Sequence, residues 1–339
     1  MSYKRLDQED ITLSAESTVA PLWTGGTVNL NSAFTSSTQV SSNTGNFFYE
    51  IYHQNPDAGT TSNTAEIQYS IAFGDKLGRG TGLFNGNVDG KSPSSVIYGQ
   101  YRNLVFGDED TDFRFGGITS DYFYVINVNR SRYKEKLFPG SLNLTLSKDG
   151  SNLELTDNSK QVSTVSYVDS GRVFDIVSGS NGAAYSGNGF AGDDIGSYGK
   201  FLPDVGLIIL NGRALDQAAP IGINLGTELD AGTDNRNLNK LFSSISEGEK
   251  FELQSEETIT SNFVFIRVRN AEFNYSTNPS NITGSGELTH DVMVNSPQAY
   301  VTSVGLYNDN NDLLAVAKLS RPLLKDFTKE ALIRIKLDY

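Results

Sequence analysis

Cysteine is absent from all 339 residues, which removes disulfides, thiolate metal sites and cysteine nucleophiles, and leaves the redox compartment undetermined by that route. Histidine occurs only at His53 and His290, so a serine triad or a histidine-rich metal site has almost no centre to form around. One tryptophan offers little material for the aromatic platforms that stack on sugars. No apolar run approaches membrane-spanning length, and the opening MSYKRLDQEDITLS carries two basic residues with no signal-length apolar stretch behind them. The expectation is a chain made soluble, with no membrane partner.

Positive charge is also short. Lys and Arg number 27 against 40 Asp and Glu, a formal net charge of −13 with the acids scattered along the chain. Binding phosphates by counterion release needs clustered cations, so a direct nucleic-acid role is disfavoured. The charge instead suits keeping the chain dispersed in solution.

What the chain does have is aromatic bulk: 19 Phe and 16 Tyr supply a core although only 37% of residues are hydrophobic. Segments rich in β-branched and aromatic residues recur and read as strands: FFYEIY (47–52), EIQYSIAF (66–73), SVIYGQYRNLVF (95–106), YFYVINV (122–128), SLNLTL (141–146), STVSYV (163–168), RVFDIV (172–177) and VGLIIL (205–210). Glycine-rich connectors separate them. One helix is predicted where Leu238, Leu241, Phe242 and Ile245 follow the helical period after the capping candidates Asp234 and Asn235. RYKEKLF (132–138) stops at Pro139 and Gly140 and reads as a helical turn or loop.

In NFVFIRVRNAEF (262–273), Phe263 and Phe265 alternate with Val264, Ile266 and Val268, so both faces look covered. Beyond it, AYVTSVGLY (299–307) and LLAVAKLS (313–320) flank NDNND as a hairpin, Pro322 fits a crossover, and ALIRIKLDY (331–339) closes the unit with a mainly charged face opposite Ile333, Ile335, Leu337 and Tyr339. Strict alternation would set Val301, Ser303, Gly305 and Tyr307 against Thr302, Val304 and Leu306.

The predicted fold is mainly β, with antiparallel sandwich- or barrel-like sheets, long loops and one or two short helices. Its expected organisation is an N-terminal arm over 1–20 held by other chains, a large β-rich domain over 21–260 and a C-terminal β unit over 261–339.

Candidate chemistry is thin. His53 and His290 read as loop or strand-end residues. GRGTGLFNG (78–86) has the glycine spacing of a phosphate loop but lacks the Gly-Lys-Ser/Thr ending and a following helix, so a hairpin tip is favoured. Asp108, Asp110 and Asp112 alternate in GDEDTDF as carboxylates on a hard cation do, yet Phe113 and Thr119 replace the glycine and glutamate of an EF-hand, which leaves a solvated turn or a cation site open. Asp193–Asp194 and Asp309–Asp312 sit in predicted turns. The sequence therefore nominates no catalytic residue, no metal ligand and no cofactor.

Five segments resemble virion structural proteins of contractile-tailed bacteriophages, in particular myophages of marine cyanobacteria: IYGQYRNLVFGDED (97–110), RYKEKLFPGSLNLTL (132–146), GRVFDIVSGSNG (171–182), FVFIRVRNAEFNYSTNP (263–279) and the ending that runs from Tyr300 to Tyr339. The resemblance implies a non-enzymatic structural subunit, in tail or baseplate before neck or capsid surface, made in the host cytoplasm and ending in the virion. Its partners would be other virion subunits and copies of itself. The alternatives are a receptor- or glycan-binding tail protein and, behind it, a tail-associated glycan hydrolase.

Overall fold

The computed structural model describes residues 6–21, 28–30, 34–36, 48–53, 66–80, 92–185, 197–229, 236–276 and 278–338. The protein is mainly β, 47% strand and 16% helical, with antiparallel pairing throughout. Two compact units form. One comprises Ala20–Glu257, the other Met1–Val19 with Thr258–Tyr339, so the N-terminal segment is grouped with the C-terminal one.

Residues 20–257 build a 13-stranded sheet that curls as a half-barrel. Its centre is formed by Ile67–Asp75, Tyr122–Val128, Leu207–Asn211, Gly199–Leu202 and Gly171–Ser180, in that spatial order. These strands are buried on both faces, because alternate side chains enter two separate cores. Tyr124, Ile126, Ile208 and Leu210 belong to the larger core, with Leu238, Leu241 and Ile245 of the Arg236–Gly248 helix. Phe123, Val125, Leu207 and Ile209 belong to the smaller. The predicted helix is therefore present, with Phe242 packed at the edge of its core; Asp234 and Asn235 lie outside the described residues.

The smaller core carries the main correction to the strand assignments. SVIYGQYRNLVF is not a strand: Pro93–Phe106 is an α-helix, with Tyr98 and Val105 buried in that core and Ile97 and Tyr101 packed against it. Tyr98, Tyr101 and Val105 fall three, then four residues apart, a helical period that outweighs their β propensity. Its ends are marked in the chain. Ser92 accepts from the Ser95 N–H at the N-cap, Pro93 opens the first turn, and Gly107 at φ +71° closes it with an N–H donated to the Asn103 carbonyl. RYKEKLF resolves into the end of the Arg130–Arg132 3-10 turn and a two-residue strand, Lys136–Leu137.

In the other unit, Ser255–Val268 lies between Ile11–Pro21 and Ala331–Asp338. Val264, Ile266, Val268, Ile333 and Ile335 are buried together and meet Val301, Val304, Leu306, Ala317, Leu319 and Leu323 of the Gln298–Tyr307/Leu313–Asp326 hairpin. Leu6 packs on the same cluster. Asp7 and Asp10 pair with Arg269 at 3.1 and 2.8 Å, so residues 7–10 are held within their own unit. Beyond them, the described side chains of residues 11–18 are all exposed.

Two details of the hairpin differ from expectation. Pro322 marks no crossover but lies inside Leu313–Asp326, where residues 319–322 stand opposite Thr302 alone. A proline has no N–H to give a ladder, and an irregular bulge is where a strand accommodates one. The same irregularity breaks strict alternation and turns both Val301 and Val304 inward.

Candidate interaction surface

Those of the residues singled out for chemistry that are described are absorbed by local structure, which does not bring them together. His53 is exposed, its N–H donating to the Glu66 carbonyl at 2.9 Å. His290 is exposed and its carbonyl accepts from Met293 at 3.0 Å.

At the glycine-rich segment, amide groups do converge on an anion, but the anion is the protein's own. The buried Asp75 carboxylate accepts the N–H groups of Leu77 and Arg79 at 3.1 and 2.8 Å and the Arg79 guanidinium at 2.9 and 3.1 Å. Gly78 and Gly80, at φ +78° and +77°, permit that wrap. Residues 81–86 lie outside the described residues.

Asp108 closes a turn, accepting from the Asp110 and Thr111 N–H groups and from the Thr111 hydroxyl, which holds its carboxyl below the usual aspartate range. Asp112 instead pairs with Lys76 at 2.7 Å. The alternating carboxylates thus point to different partners, and among the described residues no three acidic or histidine side chains could hold a metal ion. Asp193–Asp194 lies outside the described residues. The NDNND turn is closed by Asn308, which accepts from the Asp312 N–H and donates to its carboxylate.

Two electrostatic clusters were invisible in the sequence because their members are far apart in it. Arg172 donates to Asp204 at 2.7 and 2.9 Å and to Glu256 at 2.9 and 3.2 Å, while its own N–H reaches Asp204 at 2.8 Å. Glu256 is only 2% exposed. Gly171, at φ +117°, lets the backbone approach, since a Cβ there would stand 2.5 Å from an Asp204 oxygen. Every charge in this knot is matched, which suits fastening three segments rather than moving a proton.

Burial alone would raise the Asp204 carboxyl, but the Arg172 hydrogen bonds and charge outweigh it and hold the group below its ordinary value. A folded-state value below the unfolded one contributes stability above about pH 4, and this is lost as the pH falls through the folded value. Asp204→Asn is therefore expected to lower the urea midpoint at pH 7 and to flatten its fall in acid. Equal acid sensitivity in variant and parent would remove Asp204 from the account.

In the second cluster, the fully buried Lys325 ammonium donates to the carbonyls of Asn270 and Asp326 at 3.0 and 2.9 Å and to Asn274 Oδ1 at 2.8 Å. Desolvation pushes its pKa down against the pull of Asp326, Glu272 and Glu330. All three ammonium protons are used, so it serves as a structural tie between the hairpin and the loop after Val268.

The remaining feature is a surface. The hairpin turns one row of side chains into the core and the other, including Tyr300, Leu314 and Val316 at 66%, 68% and 55% exposure, away from it. Leu313 and Tyr307 extend this face; the Tyr307 ring lies over Gly305, where a Cβ would stand 2.9 Å from it. Among the described residues neither hairpin strand pairs with a third, so both outer edges carry ladder positions with no described partner strand. On the outer side of the neighbouring strand pair, Phe263 and Phe265 sit 6.5 Å apart with the Arg334 guanidinium 5.0 Å from the Phe263 ring, and Leu332 stands exposed. An arrangement of this kind can bind a surface but offers no converging acid, base or nucleophile.

The fold and this surface define an antiparallel β protein of two units that presents apolar side chains on the smaller. No protein-family model, no curated protein and no solved structure matches the chain. Among the described residues no helix is long and apolar enough to cross a membrane.

Proposed function

We propose that the chain is a non-enzymatic structural subunit of a tailed-bacteriophage virion, placed in the tail or baseplate and held there by neighbouring subunits and by copies of itself. The observation that carries this reading is the exposed row Tyr300, Leu313, Leu314 and Val316 on a small unit. Exposed apolar clusters of that kind mark contact surfaces on proteins that must stay soluble alone. The segments from 97 to 110 and from 300 to 339 support it through their resemblance to phage virion proteins. Within the reading, the acidic balance keeps free subunits apart until they assemble.

Quantitative mass spectrometry of purified particles from the phage that encodes the chain tests this. The expected result is a fixed multiple of copies per particle, retained in the tail fraction after heads are removed. Absence from washed particles would defeat the proposal.

A further inference from the structure

Beyond its hydrogen bonds, the buried Lys325 tie sets an amine against an amide. Lys325 Nζ lies 2.8 Å from Asn274 Oδ1, and the two residues stand 51 apart in the chain. With a carbonyl bond of about 1.2 Å, Asn274 Cγ is no more than about 4 Å from Nζ, near the range at which an intramolecular nucleophile is placed to attack. The amide is held in one orientation, because its Nδ2 donates to the Asn270 carbonyl at 2.7 Å and so fixes Oδ1 as the end that faces the amine. Desolvation pulls the Lys325 pKa down, which favours the neutral, nucleophilic form of the amine.

Three carboxylates act on Lys325: Asp326, Glu272 and Glu330. Asp326 is engaged by Thr328 and Lys329, and Glu330 grips Arg267 at the surface. Glu272 is the buried one, two residues before Asn274, and its charge also acts on Arg269. Phe273, between Glu272 and Asn274, adopts left-handed backbone at φ +53°, an outlier for a bulky residue, so the chain accepts strain where its two buried neighbours turn inward.

We propose that Lys325 and Asn274 join in a self-catalysed isopeptide cross-link, with Glu272 as the proton relay, fastening the base of the hairpin to the loop after Val268. The Nζ–Cγ bond forms and the Cγ–Nδ2 bond breaks. Nζ gives up two of its three protons, Glu272 passes them in turn, and Nδ2 leaves with both as ammonium, so the relay ends as it began. Nothing is oxidised or reduced, and no co-reactant is consumed. Such a staple suits a chain that has no cysteine and therefore no disulfide. Among the described residues the hairpin shares no ladder with another strand and meets its unit through side-chain packing, which a covalent bond at Lys325 would secure. The bond forms or fails whether or not the chain is found in particles, so the inference stands apart from the assembly reading.

Intact-mass spectrometry of the folded full-length chain, denatured just before measurement, tests this. The expected mass is that of the sequence less one ammonia, and a tryptic digest should yield a branched peptide that joins the segment with Asn274 to an uncleaved Lys325. Lys325→Arg and Asn274→Ala should each show their full sequence mass and melt at a lower temperature than the parent. Glu272→Gln should keep the fold, judged by hydrogen exchange across Ala331–Asp338, yet form the bond about a hundredfold more slowly. A wild-type chain of full sequence mass overturns the inference, and so does an ammonia deficit without the branched peptide, which marks an asparagine cyclised on its own backbone. Cross-linking at an unchanged rate in Glu272→Gln overturns the relay.

Discussion

Ile335→Asp is expected to unfold the unit made of residues 1–19 and 258–339 while leaving residues 20–257 folded. Ile335 is 5% exposed and stands opposite Val264 in the strand pair, facing the hairpin's inner row. Removing a buried isoleucine costs about 2–5 kcal/mol in packing alone. A carboxylate in its place adds the desolvation of a charge that finds no cation in this apolar cluster. Against this stands a unit of modest size, whose total margin at about 0.05–0.15 kcal/mol per residue is of the same order. Limited proteolysis should then clip the chain within 258–339 and leave a resistant fragment from the larger unit, and hydrogen exchange should lose protection across Ala331–Asp338. An unchanged digestion pattern would mean that this core does not hold the unit together.

Arg172→Met should destabilise the larger unit by about 3–5 kcal/mol, the usual cost of removing one member of a buried ion pair. The loss arises less from the missing attraction than from Glu256, left buried and uncompensated beside Ser255. Asp204, nearer the surface and 3.8 Å from Lys136, keeps a cation. The double variant Arg172→Met with Glu256→Gln should therefore recover much of the loss, and a denaturant series on the four proteins of the cycle measures the coupling directly. If the double variant is as unstable as the sum of the singles, Glu256 is not the group that suffers.

Much of the β framework was legible because its strands combine favourable residue types with clear turn signals. YFYVINV and VGLIIL are uninterrupted apolar runs and occupy the doubly covered centre of the sheet. ALIRIKLDY alternates, and Ile333, Ile335 and Leu337 of its apolar row pack in the core, Tyr339 lying outside the described residues. Where residue type and period disagreed, type misled: IYGQYR carries strand-forming side chains at helical spacing, and the bounding Ser92, Pro93 and Gly107 mark the helix. The interaction surface was only half legible. That the hairpin has two rows could be read from alternation; that Val301 and Val304 share the inner one depends on the bulge opposite Thr302, which pairing with Leu313–Asp326 creates.

By itself, then, the sequence determined the absence of cysteine chemistry, the acidic balance, the β class and the helix after residue 235, since these follow from composition and short-range period. Tertiary structure alone decided that Asp75 fills its own glycine-bounded amide turn, that Asp108 and Asp112 part company, that Arg172 meets Asp204 and Glu256, and that Tyr300, Leu314 and Val316 stand exposed on the hairpin. The reason is physical: propensity and periodicity act over a few residues, whereas an ion pair or an uncovered face is defined by which distant segments the packed chain brings to one place.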